Sequence, residues 1–242
     1  MKRTAWLWIL AAAMAVSPAW MGAQGGDAEK EEEAERIPLP APRLDGPVAV
    51  EAAIHSRRSV RSYAAAPLTL GEVAQLLWAA YGITKPLPRG PAFLRGGLRA
   101  APSAGALYPL EVYLVAGKVT GLPAGVYRYV SKDHALARVH KGDRRGILCR
   151  AAFDQAWVCR APATLVFTAI FSRTTGKYGS GRGERYVWMD AGCACENVYL
   201  QARALALGCC IVGAFQDVAV WRALNLSRKE EPLCIISVGR EK

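Results

Sequence analysis

Apolar residues spaced three or four positions apart recur along the 242-residue chain, and this period predicts helices. The clearest segment is PLTLGEVAQLLWAAYG, where Thr69 and Glu72 form a capping box and Gly82 follows the last apolar position. Further helices are predicted over 47–59, over 143–158 and from about 186 to 207, with a small one capped by Asp217.

Continuous apolar runs rich in Val, Tyr, Phe and Leu predict strands instead. They cover 111–116, 126–130, 164–170 and the CCIVG and LCIISVG segments near the end of the chain. Because the runs do not alternate, the sheet is expected to be covered on both faces. The predicted fold class is α+β, with a central mixed sheet and helices on both faces. Residues 82–101, rich in Gly, Pro and Arg, are predicted to form a long loop.

The first 46 residues have a different composition from the rest. Lys2 and Arg3 precede an apolar run that Pro18 breaks, which predicts a signal peptide over 1–23 and an exported, periplasmic or extracellular protein. An uncleaved N-terminal membrane anchor is the alternative, and it is the one membrane contact expected. The acidic, Pro-rich stretch over 24–46 predicts a flexible tether, so the folded domain is expected to cover 47–242.

Charge and cysteine content narrow the function classes. The net charge of +11 favours anionic ligands, but export and the lack of a Lys/Arg stripe or zinc-finger spacing argue against nucleic acid. With three histidines and no CxxC spacing, no metal site is predicted. The seven cysteines allow at most three disulfides, so at least one thiol is left unpaired.

Two segments carry candidate chemistry. SRRSVRSY, over 56–63, places three guanidinium groups within five positions, and Arg240 follows a glycine at a strand end. Clustered guanidinium groups match the geometry of a phosphate, whereas the alternative is solvated surface arginines. RAAPSAGALYP, over 99–109, brings small residues before a strand. This predicts either a wall for a flat ligand or a tight turn.

Several motifs together resemble the nitroreductase family. SRRSVRSY, PSAGALYP, AGCACENVYLQA, IVGAF and SVGR occur in that family's order. LLWAAYGIT, AGVYRY and SRTTGKYGSGRGERYV resemble its SagB-type dehydrogenase branch. The resemblance implies a homodimer with FMN at its interface and hydride transfer at the flavin. On the long helix, Cys193 and Glu196 replace the family's usual histidine and glutamine beside a retained Asn197.

The resemblance also implies roles for individual residues. The phosphate and the polar edge of the flavin would be held by Arg57, Arg58, Ser59, Arg61 and Arg240. The ring would be lined from the partner subunit by Pro102, Ser103, Ala104 and Gly105, with backbone contacts from Gly213 and Ala214. Lys177 and Tyr178 are the candidates for proton removal from substrate, and an exposed lysine in a polar loop is the alternative.

The leading hypothesis is therefore an exported, FMN-dependent oxidoreductase acting on a small organic substrate. NAD(P)H is a candidate electron donor, although export would separate the protein from it. A second hypothesis is a flavin-binding or phosphoanion-binding protein that has the fold without turnover. A third is a basic protein that adheres to anionic surfaces.

Overall fold

The structure, a computed structural model, describes residues 35–242. The predicted signal peptide over 1–23 and the first part of the predicted tether, 24–34, lie outside the described residues. Within the described range, no helix is both long enough and apolar enough to cross a bilayer.

A seven-stranded sheet forms the centre of the fold. Its strands are β1 (Arg36–Pro38), β5 (Leu110–Ala116), β7 (Gly125–Val130), β8 (Ala135–Lys141), β9 (Ala163–Ala169), β10 (Gly208–Val212) and β11 (Glu231–Gly239). They lie side by side in the order β1-β8-β7-β5-β9-β11-β10. Neighbouring strands pair antiparallel, and Ser59 adds a parallel bridge to Cys209. Both pairing directions therefore occur, and the predicted α+β fold class is confirmed.

Helices cover both faces of the sheet, as the apolar strands require. They are α1 (Val50–Ser56), α2 (Leu70–Tyr81), α3 (Arg145–Ala151), α4 (Ala156–Arg160), α5 (Ser172–Tyr178), α6 (Ser180–Ala204) and α7 (Asp217–Leu224). The apolar faces of α2 and α6 pack in one core cluster, and those of α3, α4 and α7 in a second on the opposite face.

The capping box predicted for α2 is present. The Thr69 hydroxyl accepts from the Glu72 amide at 3.1 Å, and the Glu72 carboxylate accepts from the Thr69 amide at 2.8 Å. The helix ends at Tyr81, followed by Gly82. The cap predicted for α7 is not made by Asp217, because Asp217 lies inside the first turn and Gln216 occupies the capping position.

The prediction of a long loop over 82–101 is wrong. β3 (Ile83–Pro86) and β4 (Gly97–Arg99) pair antiparallel in this range as a two-stranded ribbon. A two-stranded ribbon tolerates proline at a strand end, because only one edge of each strand needs its amides. A second small pair joins β2 (Leu68–Thr69) to β6 (Val119–Thr120) in parallel.

Three other expectations need correction. Residues 36–38, assigned to the tether, form β1 and pair with β8. The predicted helix over 143–158 is divided into α3 and α4, since Phe153 and Asp154 adopt left-handed backbone angles. A disulfide between Cys149 and Cys159 joins these two helices.

The third correction concerns the segment around Lys177 and Tyr178, which is helical rather than a polar loop. α5 ends at Tyr178, and Gly179, with a φ of 76°, separates it from α6. A Cβ on Gly183 would lie 2.7 Å from the Thr175 Cα, so glycine lets the two helices pack closely. Glycine in this segment, predicted to be a polar loop, therefore serves the close packing of α5 and α6.

The antiparallel register places the connections at two ends of the sheet. Leu110, where β5 begins, pairs with Ala169, where β9 ends, and Ala169 also pairs with Glu231, where β11 begins. Gly239, where β11 ends, pairs with Gly208 at the opposite end. Segments before β5 and after β9 therefore meet at one end, and Arg240 lies at the other.

Candidate functional site

Residues 102–108, here named the ledge, connect β4 to β5. Pro102 and Gly105 are exposed, and Ser103 and Ala104 are partly exposed. Gly105, Ala106 and Tyr108 adopt positive φ angles of 62°, 54° and 48°. Non-glycine residues persist in this conformation only where their surroundings hold them.

Side chains from several elements hold the ledge. The Ser103 hydroxyl accepts from the Tyr108 amide at 2.9 Å. Arg95 donates to the carbonyls of Leu107 and Tyr108, and Arg173 on α5 donates to the Tyr108 carbonyl at 3.4 Å. Burial, with the nearby Arg173 charge, lowers the pKa of Arg95 to about 10, which leaves it charged near neutral pH.

A buried carboxyl group lies beneath the ledge. Asp190, on α6, is 5% exposed; its Oδ1 accepts from the Ala104 amide at 3.3 Å, and its carboxyl group also interacts with the Ser103 hydroxyl. Among the described residues, its Oδ2 is buried without a hydrogen-bond partner. Burial raises the pKa of Asp190, and the two hydrogen bonds oppose that rise.

The Lys177–Tyr178 pair lies directly against the ledge. A Cβ added to Gly105 would be 2.6 Å from the Tyr178 hydroxyl oxygen and 3.1 Å from the Lys177 Nζ. Tyr178 packs edge-to-face on Tyr186 at 5.0 Å between ring centroids, which fixes its ring. Lys177 is exposed. Glycine at 105 is thus the residue that lets a hydroxyl and an amine approach the ledge backbone.

Arg57, Arg58, Ser59, Arg61 and Arg240, here named the arginine group, lie near one edge of the sheet. The guanidinium of Arg57 lies 5.3 Å from the centroid of the Tyr199 ring and 4.0 Å from the Glu196 carboxylate. The Ser59 hydroxyl is 3.2 Å from the Tyr199 hydroxyl, which accepts from the Ile211 amide. Tyr199 on α6 therefore supports both Arg57 and Ser59.

The remaining arginines of the group have other neighbours. Arg58 donates to the carbonyls of His55 and Arg57 at the end of α1. Arg61 lies over the Trp157 ring at 5.4 Å. Arg240 pairs with Glu72 at 2.8 Å. The arginine group thus shares one edge of the fold, but its guanidinium groups are supported by different elements.

Gly213 and Ala214 follow β10 and are exposed. The Ala214 carbonyl accepts from Gln155 at 3.0 Å, and this contact ties the segment to the connection between α3 and α4. The two positions at which the chain departs from the family pattern, Cys193 and Glu196, lie on α6 with the retained Asn197. There Cys193 is exposed, Glu196 faces Arg57, and Asn197 donates to the Ala79 carbonyl at 3.0 Å.

The ledge and the arginine group lie at different positions along the long helix α6. Asp190, under the ledge, and Tyr199, under Arg57, are nine residues apart, which corresponds to about 14 Å along a helix axis. The ledge lies beside the N-terminal half of α6, and Arg57 beside its C-terminal half.

Sequence reasoning missed four residues that build this site: Arg95, Arg173, Asp190 and Tyr199. One of them had a detectable signal. Asp190 follows Val187 by three positions and precedes Ala191, so it falls on the apolar face of the predicted helix. A carboxylate at a core position needs a partner, and this one has the ledge amide.

Comparison with known proteins identifies the family. Residues 54–240 match the nitroreductase family. The chain is 40% identical over 194 residues to MJ1384 of Methanocaldococcus jannaschii, which is named as a nitroreductase, and the match covers 80% of this chain and 92% of that one. It is 29% identical over 136 residues to the microcin B17-processing protein McbC of Escherichia coli, covering 54% of this chain and 50% of McbC.

Solved structures agree with this result. A nitroreductase structure from Ralstonia eutropha JMP134 superposes with a TM-score of 0.72 at 30% identity, covering 86% of this chain and 90% of that one. The Escherichia coli microcin synthetase complex McbBCD superposes with a TM-score of 0.63 at 24% identity over 95% of this chain and 85% of that one, and shares the fold. The chain belongs to the nitroreductase family and is an oxidoreductase of that family.

Proposed function

We propose that two copies of this chain bind FMN between them and transfer two electrons between the flavin and a small organic substrate, as in SagB-type dehydrogenases. The observation that carries the proposal is the contact between Gly105 and the Lys177–Tyr178 pair. It joins a surface suited to a flat ring with groups suited to proton transfer, and the two come from distant parts of the sequence.

The ledge fits the ring of a flavin. Residues 102–105 of the ledge are small, so a planar ring system can approach their backbone. Partly buried contacts from Arg95 and Arg173, together with the buried Asp190, hold the backbone before any ligand arrives. A surface fixed in advance binds with less loss of conformational entropy.

The arginine group fits a phosphate. The side chains of Arg57 and Arg240 remain 35% and 37% exposed. The Arg57–Glu196 pair is exposed and its atoms are 4.0 Å apart, and such pairs contribute about 0 to 1 kcal/mol, so Glu196 competes weakly with a phosphate dianion for Arg57. The Ser59 hydroxyl adds a neutral donor beside Arg57.

The separation along α6 supports a site shared by two chains. Two copies of α6 packed antiparallel about a twofold axis would bring the ledge of one chain beside the arginine group of the other. Trp188 and Met189 on α6 are 53% and 60% exposed, so an apolar surface for such packing is available.

Bound in this arrangement, FMN would supply hydride chemistry. The chain's own contribution is proton handling beside the ledge. The Tyr178 hydroxyl, oriented by the packing of its ring on Tyr186, can hold a proton next to a substrate above Gly105. The Lys177 Nζ lies 5.3 Å from the Tyr178 ring centroid, so a second group able to carry a proton lies at the same place.

The experiment starts from the absorbance spectrum of purified protein after FMN addition and removal of free flavin. We expect retained FMN, bleaching by anaerobic dithionite or NADH, and reoxidation by a quinone or a nitroaromatic compound. Protein that retains FMN but passes no electrons would be the flavin-binding protein without turnover. Protein that retains no FMN at saturating concentration would contradict the proposal.

We also propose that residues 1–23 direct export. The Cys149–Cys159 disulfide supports this proposal, because disulfides persist mainly in oxidising compartments. Cell fractionation of the full chain, with the N-terminal residue of the mature protein determined, tests it. Recovery of uncleaved protein in the cytoplasm would contradict it.

A further inference from the structure

Two buried thiols lie in contact inside the core. The Sγ of Cys195, on α6, is 3.3 Å from the Sγ of Cys234, on β11, and the two residues are 4% and 6% exposed. A disulfide needs about 2.0 Å between the sulfurs, so a small side-chain movement closes the gap. We infer that Cys195 and Cys234 form a second disulfide, between α6 and the sheet, when the chain folds under oxidising conditions.

The surroundings favour this pair over other pairings. Cys195, Cys209 and Cys234 belong to the same apolar core cluster, and the 3.3 Å sulfur contact joins Cys195 to Cys234. Cys193, two residues before Cys195, lies on the exposed side of the helix, as the helical period predicts. Cys209 and Cys210 are adjacent in β10, so their side chains point to opposite faces of the sheet.

The chemistry requires an electron acceptor. Each thiol loses one proton and one electron as the S–S bond forms. The two electrons reduce an external disulfide, either oxidised glutathione or a protein disulfide, to two thiols through a mixed disulfide. The flavin has no part in this reaction, so the inference is independent of the proposed function.

Burial determines when the bond can form. A hydrogen bond with Cys195, together with burial, raises the pKa of Cys234 well above that of a free thiol. Because the thiolate is the reactive species, the folded, reduced pair reacts slowly. The bond is therefore expected to form while the chain folds.

The bond would fix α6 to the central sheet. It would close a loop between positions 39 residues apart, and long loops give a large entropic constraint on the unfolded chain. α6 also carries Asp190 and Tyr199, which support the ledge and the arginine group. The disulfide would thus hold both halves of the candidate site on one rigid element.

The experiment is tryptic peptide mapping without reduction, after the full chain has folded in a glutathione redox buffer and free thiols have been alkylated. Peptide 186–203 contains both Cys193 and Cys195, and peptide 230–240 contains Cys234. We expect these two peptides to be linked in the wild type and in C193S, and unlinked in C195S. Unlinked peptides in the wild type, or a link lost in C193S and kept in C195S, would overturn the inference.

Thermal unfolding provides a second measurement. Relative to the wild type, C195S and C234S should each lower the Tm of oxidised protein by at least about 5 °C, with no further loss in the double variant. C209S, which changes a buried thiol without a 3.3 Å partner, is the matched control and should lower the Tm less. Additive losses from C195S and C234S would show that the two residues do not act as a pair.

Discussion

The ledge and the arginine group are built in opposite ways. The ledge takes strained backbone angles and is held by partly buried contacts from Arg95 and Arg173 and by the buried Asp190. The side chains of Arg57 and Arg240 are about a third exposed; Arg57 faces the exposed Glu196 at 4.0 Å, and Arg240 pairs with the less exposed Glu72 at 2.8 Å. Under the proposed function, this contrast predicts that the chain alone completes the surface for the ring, whereas bound phosphate completes the arginine group.

The largest expected effect is the loss of FMN affinity when the arginine group is changed. Replacing Arg57 and Arg240 together by alanine should weaken FMN binding at least about 100-fold. Each removed charge-assisted contact is worth about 1.5–3 kcal/mol, and 1.4 kcal/mol is tenfold in affinity. Flavin fluorescence titration measures the change, and circular dichroism should remain unchanged.

Arg222→Ala is the control for that variant, because Arg222 is exposed on α7 and belongs to neither half of the site. It removes one positive charge and leaves the arginine group unchanged. Equal weakening by R222A and by R57A/R240A would show that overall charge, and not the arginine group, attracts the ligand.

The next effect separates binding from chemistry. K177A and Y178F should each reduce quinone reduction by about 100-fold, the scale of a lost general acid or base, while FMN affinity stays within about twofold. Steady-state kinetics and the flavin titration give the two quantities. Lys141→Ala, an exposed lysine at the end of β8, should leave both unchanged. Wild-type turnover in K177A and Y178F would contradict a role of these two residues in proton transfer.

A smaller effect is expected from Gly105→Ala. The added Cβ would lie 2.6 Å from the Tyr178 hydroxyl oxygen and would displace the Lys177–Tyr178 pair, which should lower turnover about tenfold. Gly121→Ala is the matched control, because Gly121 also has a positive φ, 82°, but a Cβ there meets nothing within 4 Å. Both variants carry the same backbone cost of about 1 kcal/mol. Equal losses of turnover in G105A and G121A would show that the close approach of Lys177 and Tyr178 to Gly105 does not matter for activity.

The smallest effect is a pH dependence of stability from Asp190. Burial raises the pKa of Asp190 in the folded state. Its contribution to the free energy of unfolding is therefore fully present below the unfolded-state pKa and is lost as the pH rises through the folded-state pKa. D190N should remove this loss, so its Tm relative to the wild type should improve as the pH rises.

Asp143 is the control with the opposite sign. The hydrogen bond from Arg145 lowers the pKa of Asp143 in the folded state. The contribution of Asp143 to the free energy of unfolding is therefore present above the unfolded-state pKa and is lost as the pH falls through the folded-state pKa. D143N should therefore lose Tm relative to the wild type as the pH rises from acid to neutral. Parallel pH profiles for D190N and D143N would contradict the assignment at Asp190.

The two halves also differ in how far the sequence predicted them. SRRSVRSY could be identified because charge and order along the chain are local properties, and Arg57 and Ser59 do lie together on Tyr199. The ledge was predicted only as small residues before a strand. Its shape depends on Arg95, Arg173 and Asp190, whose contacts arise from tertiary packing.

Secondary structure followed the same rule. The apolar strands and the capped helix α2 were correctly predicted, since their signals are local and strong. The β3–β4 ribbon and the helix α5 were missed, because glycine and proline there serve close packing and strand ends rather than loops. β1 was missed since its pairing with β8 joins residues about a hundred positions apart.

The central claim, a flavin held by the arginine group of one chain and the ledge of another, is tested most directly with mixed dimers. One chain carries R57A/R240A and the other carries G105V/K177A, each with its own tag, and the tandem-purified heterodimer is assayed for quinone reduction. Shared sites predict one intact site and about half of the wild-type turnover per dimer, whereas each variant alone is inactive. A heterodimer as inactive as the two parents would show that each site lies within a single chain.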